Sequence, residues 1–401
     1  MDPRAAALKL LNYCRANDWA GYDPYDALNS RFFESLPFLD SKIPRLVLTQ
    51  ALKRSPVNLR PLLRIPKTQN PKGLALFLNS LLRLSRAGLL KEEGIITTLA
   101  EKLVALRSPN TDYWCWGYSF PWQTRTVVVP RGSPNVVCTI FAANALLDLY
   151  ERKRESRYLS MGVSAAEYIL RLVWREGEGI VSLSYPLSSM RSEIHNANLL
   201  GAALLCRVSR LSGEKKFLDL AFRLARYSAA KQRDDGSWPY GESPKQQWVD
   251  NFHTGYNLGA LRAIGKYADT SEFESHVRRG FEFYRARFFR EDGAARYFHD
   301  RTYPIDSHCV AQSIITLLEF KDLDAYSVTQ ANRVFDWAMS NMWDDRGFFS
   351  YRVLPFCRIK TSYMRWVQAW MLLALSTLVE ETQTRIPAAP QPRLSEVGTS
   401  A

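Results

Sequence analysis

Three of the chain's five histidines stand at one kind of position. The segments EIHNAN (193–198), DNFHTGYN (250–257), DSHCVAQ (306–312) and YMRWVQ (363–368) each open a stretch of small and apolar residues. Aligning them superposes His195, His253, His308 and Arg365. A carboxylate precedes each histidine: Glu193, Asp250 and Asp306. Imidazole is the side chain suited to moving protons near neutral pH, and a carboxylate beside it fixes its tautomer. An arginine in the same register is suited to hold a carboxylate or to steady an enolate-like anion. The expected roles are His253 as general base, with Asp250 within a turn of it, and His308 with Asp306 as the partner acid. The plainer alternative makes Asp250 and Asp306 helix N-caps and the histidines satisfied core groups. Ligation of a metal by His195, His253, His308 and Asp306 lacks the local spacing of a zinc site, so neither metal nor other cofactor is expected.

Aromatic residues crowd the same connectors. Trp114, Trp116, Trp122, Trp238, Tyr240, Trp248, Trp366 and Trp370 lie close to them in sequence, and Tyr363 stands two residues before Arg365. Flat apolar faces with polar groups between them are what a sugar ring needs. Trp116, Trp238, Tyr240, Trp248 and Tyr363 are therefore candidate substrate contacts with Arg365, although hairpin packing accounts equally well for half of such rings. One earlier stretch, WAGYDPYDALNSRFF (19–33), combines Asp23 and Asp26 with two tyrosines around Gly21 and Pro24. It reads either as a surface turn or as a loop laid across a site, presenting Asp23 and Asp26 to a ligand.

These residues need elements to bring them together. Tyr185, Tyr240, Tyr297 and Tyr351 recur at intervals of 55, 57 and 54 residues, each in a Gly- and Asp-rich turn, with DYWCWGYSFPW (112–122) as a weaker counterpart. A repeat of this length fits two helices and their connections. LSGEKKFLDLAFRLARYSAAKQ (211–232) carries apolar residues at three-to-four spacing with charges opposite, the pattern of an outer helix. HNANLLGAALLCRV and HTGYNLGALRAI are small or apolar nearly all round, the pattern of a buried inner helix. Inner patterns begin near Gly73, Asn135, Ser192, Val249, Ile305 and Thr361. Six helical hairpins in series predict an all-α, (α/α)6 toroid, since closing the ring removes both exposed ends. A helix near 4–15 would complete the outer ring. Residues 1–70 read as N-terminal helices and a mouth-covering loop, 71–381 as the toroid in one domain with them, and 382–401 as a Pro- and Ser-rich disordered tail.

Composition bounds the partners. Lys and Arg outnumber Asp and Glu by 53 to 40, a net charge of +13, which favours anionic partners. No basic cluster interleaved with exposed aromatics stands out, so no nucleic acid is expected. Six scattered cysteines without a CxxC pair, the charged N-terminus and the shortness of AWMLLALSTLV point to a cytoplasmic protein without stable membrane insertion.

GYDPYDALNS, QRDDGSWPYG (232–241), QQWVDNFHTGYNLGAL (246–261), TYPIDSHCVAQSI (302–314) and SYMRWVQAWM together resemble α/α-toroid proteins of bacterial capsule and exopolysaccharide biosynthesis clusters, over roughly residues 15–380. The resemblance implies a part in making or modifying polysaccharide alongside that machinery, with a sugar or acidic glycan segment as ligand. It does not fix a reaction. By fold analogy the aligned histidines are similar in kind to those of N-acylglucosamine 2-epimerases, while lyases and uronate epimerases also abstract protons and inverting glycosidases use two carboxylates. Q-x-x-x-G-x-W at Gln232, Gly236 and Trp238 is similar to the triterpene-cyclase repeat, but no DxDD run is present, and DSHC misses the prenyltransferase Asp-x-Cys pattern by one residue. The expectation is a His-based epimerase, isomerase or lyase, with a non-catalytic glycan-binding or assembly protein as its rival and a glycosidase or terpenoid-cyclase-like enzyme behind them.

Overall fold

The computed structural model describes residues 1–36, 41–124, 126–177 and 179–384. The helices are α1 (Pro3–Ala16), α2 (Arg31–Glu34), α3 (Lys42–Arg54), α4 (Pro71–Arg86), α5 (Glu93–Ala105), α6 (Val136–Lys153) and α7 (Ser156–Arg171). They continue as α8 (His195–Ser212), α9 (Leu218–Ala229), α10 (Asn251–Ala268), α11 (Glu274–Arg287), α12 (Ser307–Glu319), α13 (Ser327–Asn341) and α14 (Ala369–Thr384). Residues from 385 on, where most of the disordered tail was expected, lie outside the described residues.

The even-numbered helices from α4 to α14 pack in a closed ring, α14 returning against α4. Each begins within about three residues of its predicted start, apart from the last, which opens with a π-turn over Met364–Gln368 before α14. Their faces are buried nearly all round. Those of α5, α7, α9, α11 and α13 are buried on one stripe only, and α1 packs on α14 to complete the outer layer. The strand pairs among the described residues are antiparallel, two to four residues long, and confined to connectors.

Three of the four repeated tyrosines tie neighbouring hairpins of this ring together. The backbone N–H of His195, the first residue of α8, donates to the Tyr240 carbonyl at 3.3 Å. Asn251 at the head of α10 donates to Tyr297 at 2.9 Å, and Ser307 at the head of α12 to Tyr351 at 3.1 Å. Each connector thus satisfies an orphan donor of the preceding inner helix. The Q-x-x-x-G-x-W segment clamps its own hairpin to the next. Gln232 Nε2 donates to the carbonyls of Gly236 and His276, both at 3.0 Å, and Trp238 Nε1 to Ser228 at 3.0 Å. Gly236 has φ +88°, and a Cβ there would stand 2.3 Å from the Arg279 carbonyl, so both the turn and the approach of α11 require glycine.

Residues 19–36 and 41–70 lie over the mouth where the inner helices begin. Gly21 bridges Thr68, and Tyr22 accepts from the Met364 N–H at 3.0 Å. Ala27, Leu52 and Ile65 make a small core of their own, separate from the large one inside the toroid. Among the described residues no helix is long and apolar enough to cross a membrane.

Candidate functional site

Asp250 is both N-cap and partner of a histidine. Its Oδ1 accepts the His253 N–H at 2.9 Å, while Oδ2 accepts from the Trp248 indole at 3.0 Å and lies 2.7 Å from His253 Nδ1. Bonding at Nδ1 leaves Nε2 as the other ring nitrogen, and the His253 side chain keeps 20% of its surface exposed. Its ring packs on Tyr240 at 4.6 Å, and Tyr240 stacks on Trp248 at 4.7 Å.

His308 is enclosed. Asp306 caps α12 through the His308 N–H at 2.9 Å but gives its carboxylate to Arg352 at 2.5 Å and the Trp366 indole at 3.0 Å, not to the imidazole. His308 Nε2 lies 2.7 Å from the Tyr256 hydroxyl, and Nδ1 has no hydrogen-bond partner among the described residues. Its ring stacks between Phe252 at 4.4 Å and Trp370 at 4.5 Å. Burial, with Lys72, Arg365 and His253 nearby, holds this imidazole far below the usual histidine range, so it is neutral.

Arg365 meets the mouth loop. Its Nε and Nη2 grip the Asp23 carboxylate at 2.6 and 2.8 Å, both side chains 5% exposed. Asp26 is paired with buried Arg60 at 2.8 Å, and burial outweighs that cation to push the carboxyl up to about 6. Arg60 also lies over the Tyr363 ring at 4.7 Å. The alternative of a plain surface turn for 19–33 does not describe these contacts: Asp23, Asp26 and Asn29 are buried.

Lys72 was not foreseen. It sits at the second position of α4, its N–H bonded to the Asn70 cap at 3.1 Å, and is 4% exposed. Its ammonium lies 4.1 Å from the centre of the Phe141 ring and 5.4 Å from both Tyr256 and Trp370. Those three rings, from alternate inner helices, touch one another at 5.5–5.8 Å and close the axis. No hydrogen bond or ion pair reaches Nζ among the described residues. Burial, then Arg365, brings it down to about 7. The sequence signal was its register: Lys72, His308 and Arg365 each stand two residues after an N-cap, at Asn70, Asp306 and Tyr363. His253 stands three after its cap and His195 one.

That phase turns His195 away from the axis. It is fully buried, with Nε2 2.9 Å from Glu242 and Nδ1 3.4 Å from Ser228 of α9. The hydrogen bond from His195 holds the Glu242 carboxyl down at about 2. Glu193 accepts from the Tyr227 hydroxyl in the same cluster. Trp116 and Trp238 spend their indole N–H groups on the Leu103 and Ser228 carbonyls inside the hairpins. His195, Glu193, Trp116 and Trp238 therefore build the wall, whereas His253, His308, Asp250, Tyr240 and Trp248 come together.

Tyr118, Tyr185, Tyr240 and Tyr297 are each only partly buried, and burial raises the pKa of all four hydroxyls. Tyr25 of the mouth loop packs edge-on to Trp366 at 5.4 Å and accepts from Lys53 Nζ at 2.7 Å. Beside the Asp23–Arg365 pair only about 10 Å³ is open. Among the described residues no group of three His, Cys, Asp or Glu side chains is placed to hold a metal ion.

No family model and no curated protein matches this chain. Solved structures do. The Lin0763 protein of Listeria innocua superposes with a TM-score of 0.62 at 12% identity, covering 95% of this chain and 98% of that one. A cellobiose 2-epimerase of Bacillus thermoamylovorans gives 0.61 at 11% identity over 78% of this chain and 88% of that one. A GH76 α-mannanase of Bacteroides thetaiotaomicron gives 0.58 at 11% over 80% and 89%. At such identities the likeness shows the fold alone, an (α/α)6 toroid.

Proposed function

We propose that the chain takes a sugar or acidic glycan segment into the toroid chamber and moves a proton on it, as an epimerase, isomerase or lyase in polysaccharide production or modification. The observation that carries this reading is the His253–Asp250 pair, a partly exposed imidazole oriented by a buried carboxylate and flanked by the Tyr240–Trp248 stack. The carboxylates near it are committed: Asp306 to Arg352 and Trp366, Asp23 to Arg365, Asp26 to Arg60. That favours imidazole over a pair of free carboxyls as the acid–base machinery. His253 removes the proton, the Tyr256–His308 pair supplies a second proton-transfer group, and Arg365 and Lys72 favour the anion that forms between the steps. Similar folds include a cellobiose 2-epimerase and a mannanase, which supports sugar as the substrate class. Entry along the axis requires the 19–30 loop to lift, because Asp23 is buried against Arg365 at the mouth.

The test incubates the full chain with candidate glycans in deuterated water and follows label at sugar carbons. His253→Gln should slow incorporation by about a hundredfold or more while binding changes little. Unchanged incorporation in that variant would remove His253 from the chemistry. The rival reading, a glycan-binding or assembly protein, draws on the enclosure of His308. It gains if glycans bind yet none acquires label.

A further inference from the structure

The outward face of the mouth-covering segment is apolar. Among the described residues ten large apolar side chains are exposed, and six of them, Phe32, Ile43, Val47, Val57, Leu59 and Leu62, fall within residues 32–62. On α3 the exposed residues Ile43, Val47, Ala51 and Arg54 recur at three-to-four spacing, one stripe of the helix. The opposite stripe, with Thr49 and Leu52, is the buried one. An ordinary surface helix shows the reverse, so water is a poor partner for this face.

Its charge is one-sided. No Asp or Glu occurs from Ser41 to Lys91, whereas residues 41–67 hold seven Lys and Arg. Arg60 is used inside against Asp26, and Lys53 reaches Tyr25. Arg31, Lys42, Arg54, Arg64 and Lys67 are exposed. Apolar side chains interspersed with basic ones are the pattern of helices that lie in the headgroup region of an anionic bilayer, where the apolar groups leave water and the cations meet lipid phosphates. The separate small core of Ala27, Leu52 and Ile65 holds α3 and the 57–65 stretch together as one unit.

We infer that residues 41–67, with Phe32 beside them, form a docking surface for an anionic lipid bilayer, on which the protein sits peripherally with the toroid mouth facing the membrane. This goes beyond the proposed chemistry and does not depend on it.

The experiment is co-sedimentation of the full chain with vesicles, either pure phosphatidylcholine or equimolar phosphatidylcholine and phosphatidylglycerol. Wild type should pellet with the mixed vesicles and stay in solution with the neutral ones, and added salt should release it. Each basic residue near such a surface contributes about fivefold in partitioning, so combining Lys42→Gln, Arg54→Gln and Arg64→Gln should weaken binding about a hundredfold. Combining Ile43→Ser, Val47→Ser and Leu62→Ser should also release the protein. These side chains are exposed, so unchanged thermal unfolding serves as the folding control. Failure of wild type to pellet, equal binding to neutral vesicles, or a self-association in solution that both triple variants abolish would overturn the inference. In the last case the face is an interface between copies of this chain.

Discussion

Replacing Lys72 by methionine should stabilise the protein near neutral pH, and the size of the effect follows from where the ammonium sits. Burial and the neighbouring Arg365 bring it from the usual 10.5 to about 7, whereas in the unfolded chain the amine keeps its proton up to about 10.5. Below about 7 both states are protonated, so stability does not vary with pH on this account, but the fold carries the full cost of a buried cation. Between those values the unfolded state binds more protons, and stability rises with pH by at most about 1.4 kcal/mol per unit. Across the window that amounts to on the order of 5 kcal/mol, an upper bound. Against it stand the cation–π contacts to Phe141, Tyr256 and Trp370, which contribute about 2 kcal/mol when desolvated. Desolvation wins. Methionine has a similar length and an apolar tip, so Lys72→Met keeps the packing and removes the charge. Urea unfolding of both proteins across the window gives the answer. The variant should be the more stable by a few kcal/mol near pH 7, and the gap should narrow toward pH 10. Parallel stability–pH curves would refute the reasoning, since other titrating groups are common to both proteins.

Two further changes test the mouth and the ring. Asp23→Ala leaves the buried Arg365 without its carboxylate and should cost about 3–5 kcal/mol; acetate or glucuronate, but not glucose, should raise the melting temperature of this variant and not that of wild type. Loss of less than about half a kcal/mol, the scale of an ordinary surface change, would mean that the pair does not anchor the loop. Gly236→Ala forces a side chain into φ +88° and against the Arg279 carbonyl, so chemical denaturation should show a loss of at least about 2 kcal/mol. A neutral result there would remove the physical reason given for the Gln232–Gly236–Trp238 clamp.

The ring was legible because its signals are local. An inner helix is apolar all round whatever its neighbours, and a tyrosine repeating at near-constant intervals marks a connector even before its carbonyl is known to accept from the helix behind. The site was legible only in part, because a helix turns about 100° per residue. A window alignment treats His195, His253 and His308 as equivalent, but their offsets from the N-cap are one, three and two residues. His195 consequently faces Ser228 on the outer layer, while His308 shares the phase of Lys72 and Arg365 and faces the axis. Counting from the cap would have found Lys72, whose Asn70–Pro71 start is readable; searching for histidines could not. The indoles of Trp116 and Trp238 posed a different difficulty. Whether an indole N–H is free for a ligand depends on a carbonyl from its own hairpin, at Leu103 or Ser228, and nothing in the type of residue reveals that. The roof is the limiting case. Asp23 meets Arg365 across 342 residues of chain, and local composition describes only a turn. What makes the turn a roof is that Arg365 lies at the head of an inner helix, the end of the toroid over which the segment preceding α4 runs, so that its carboxylate comes from that segment.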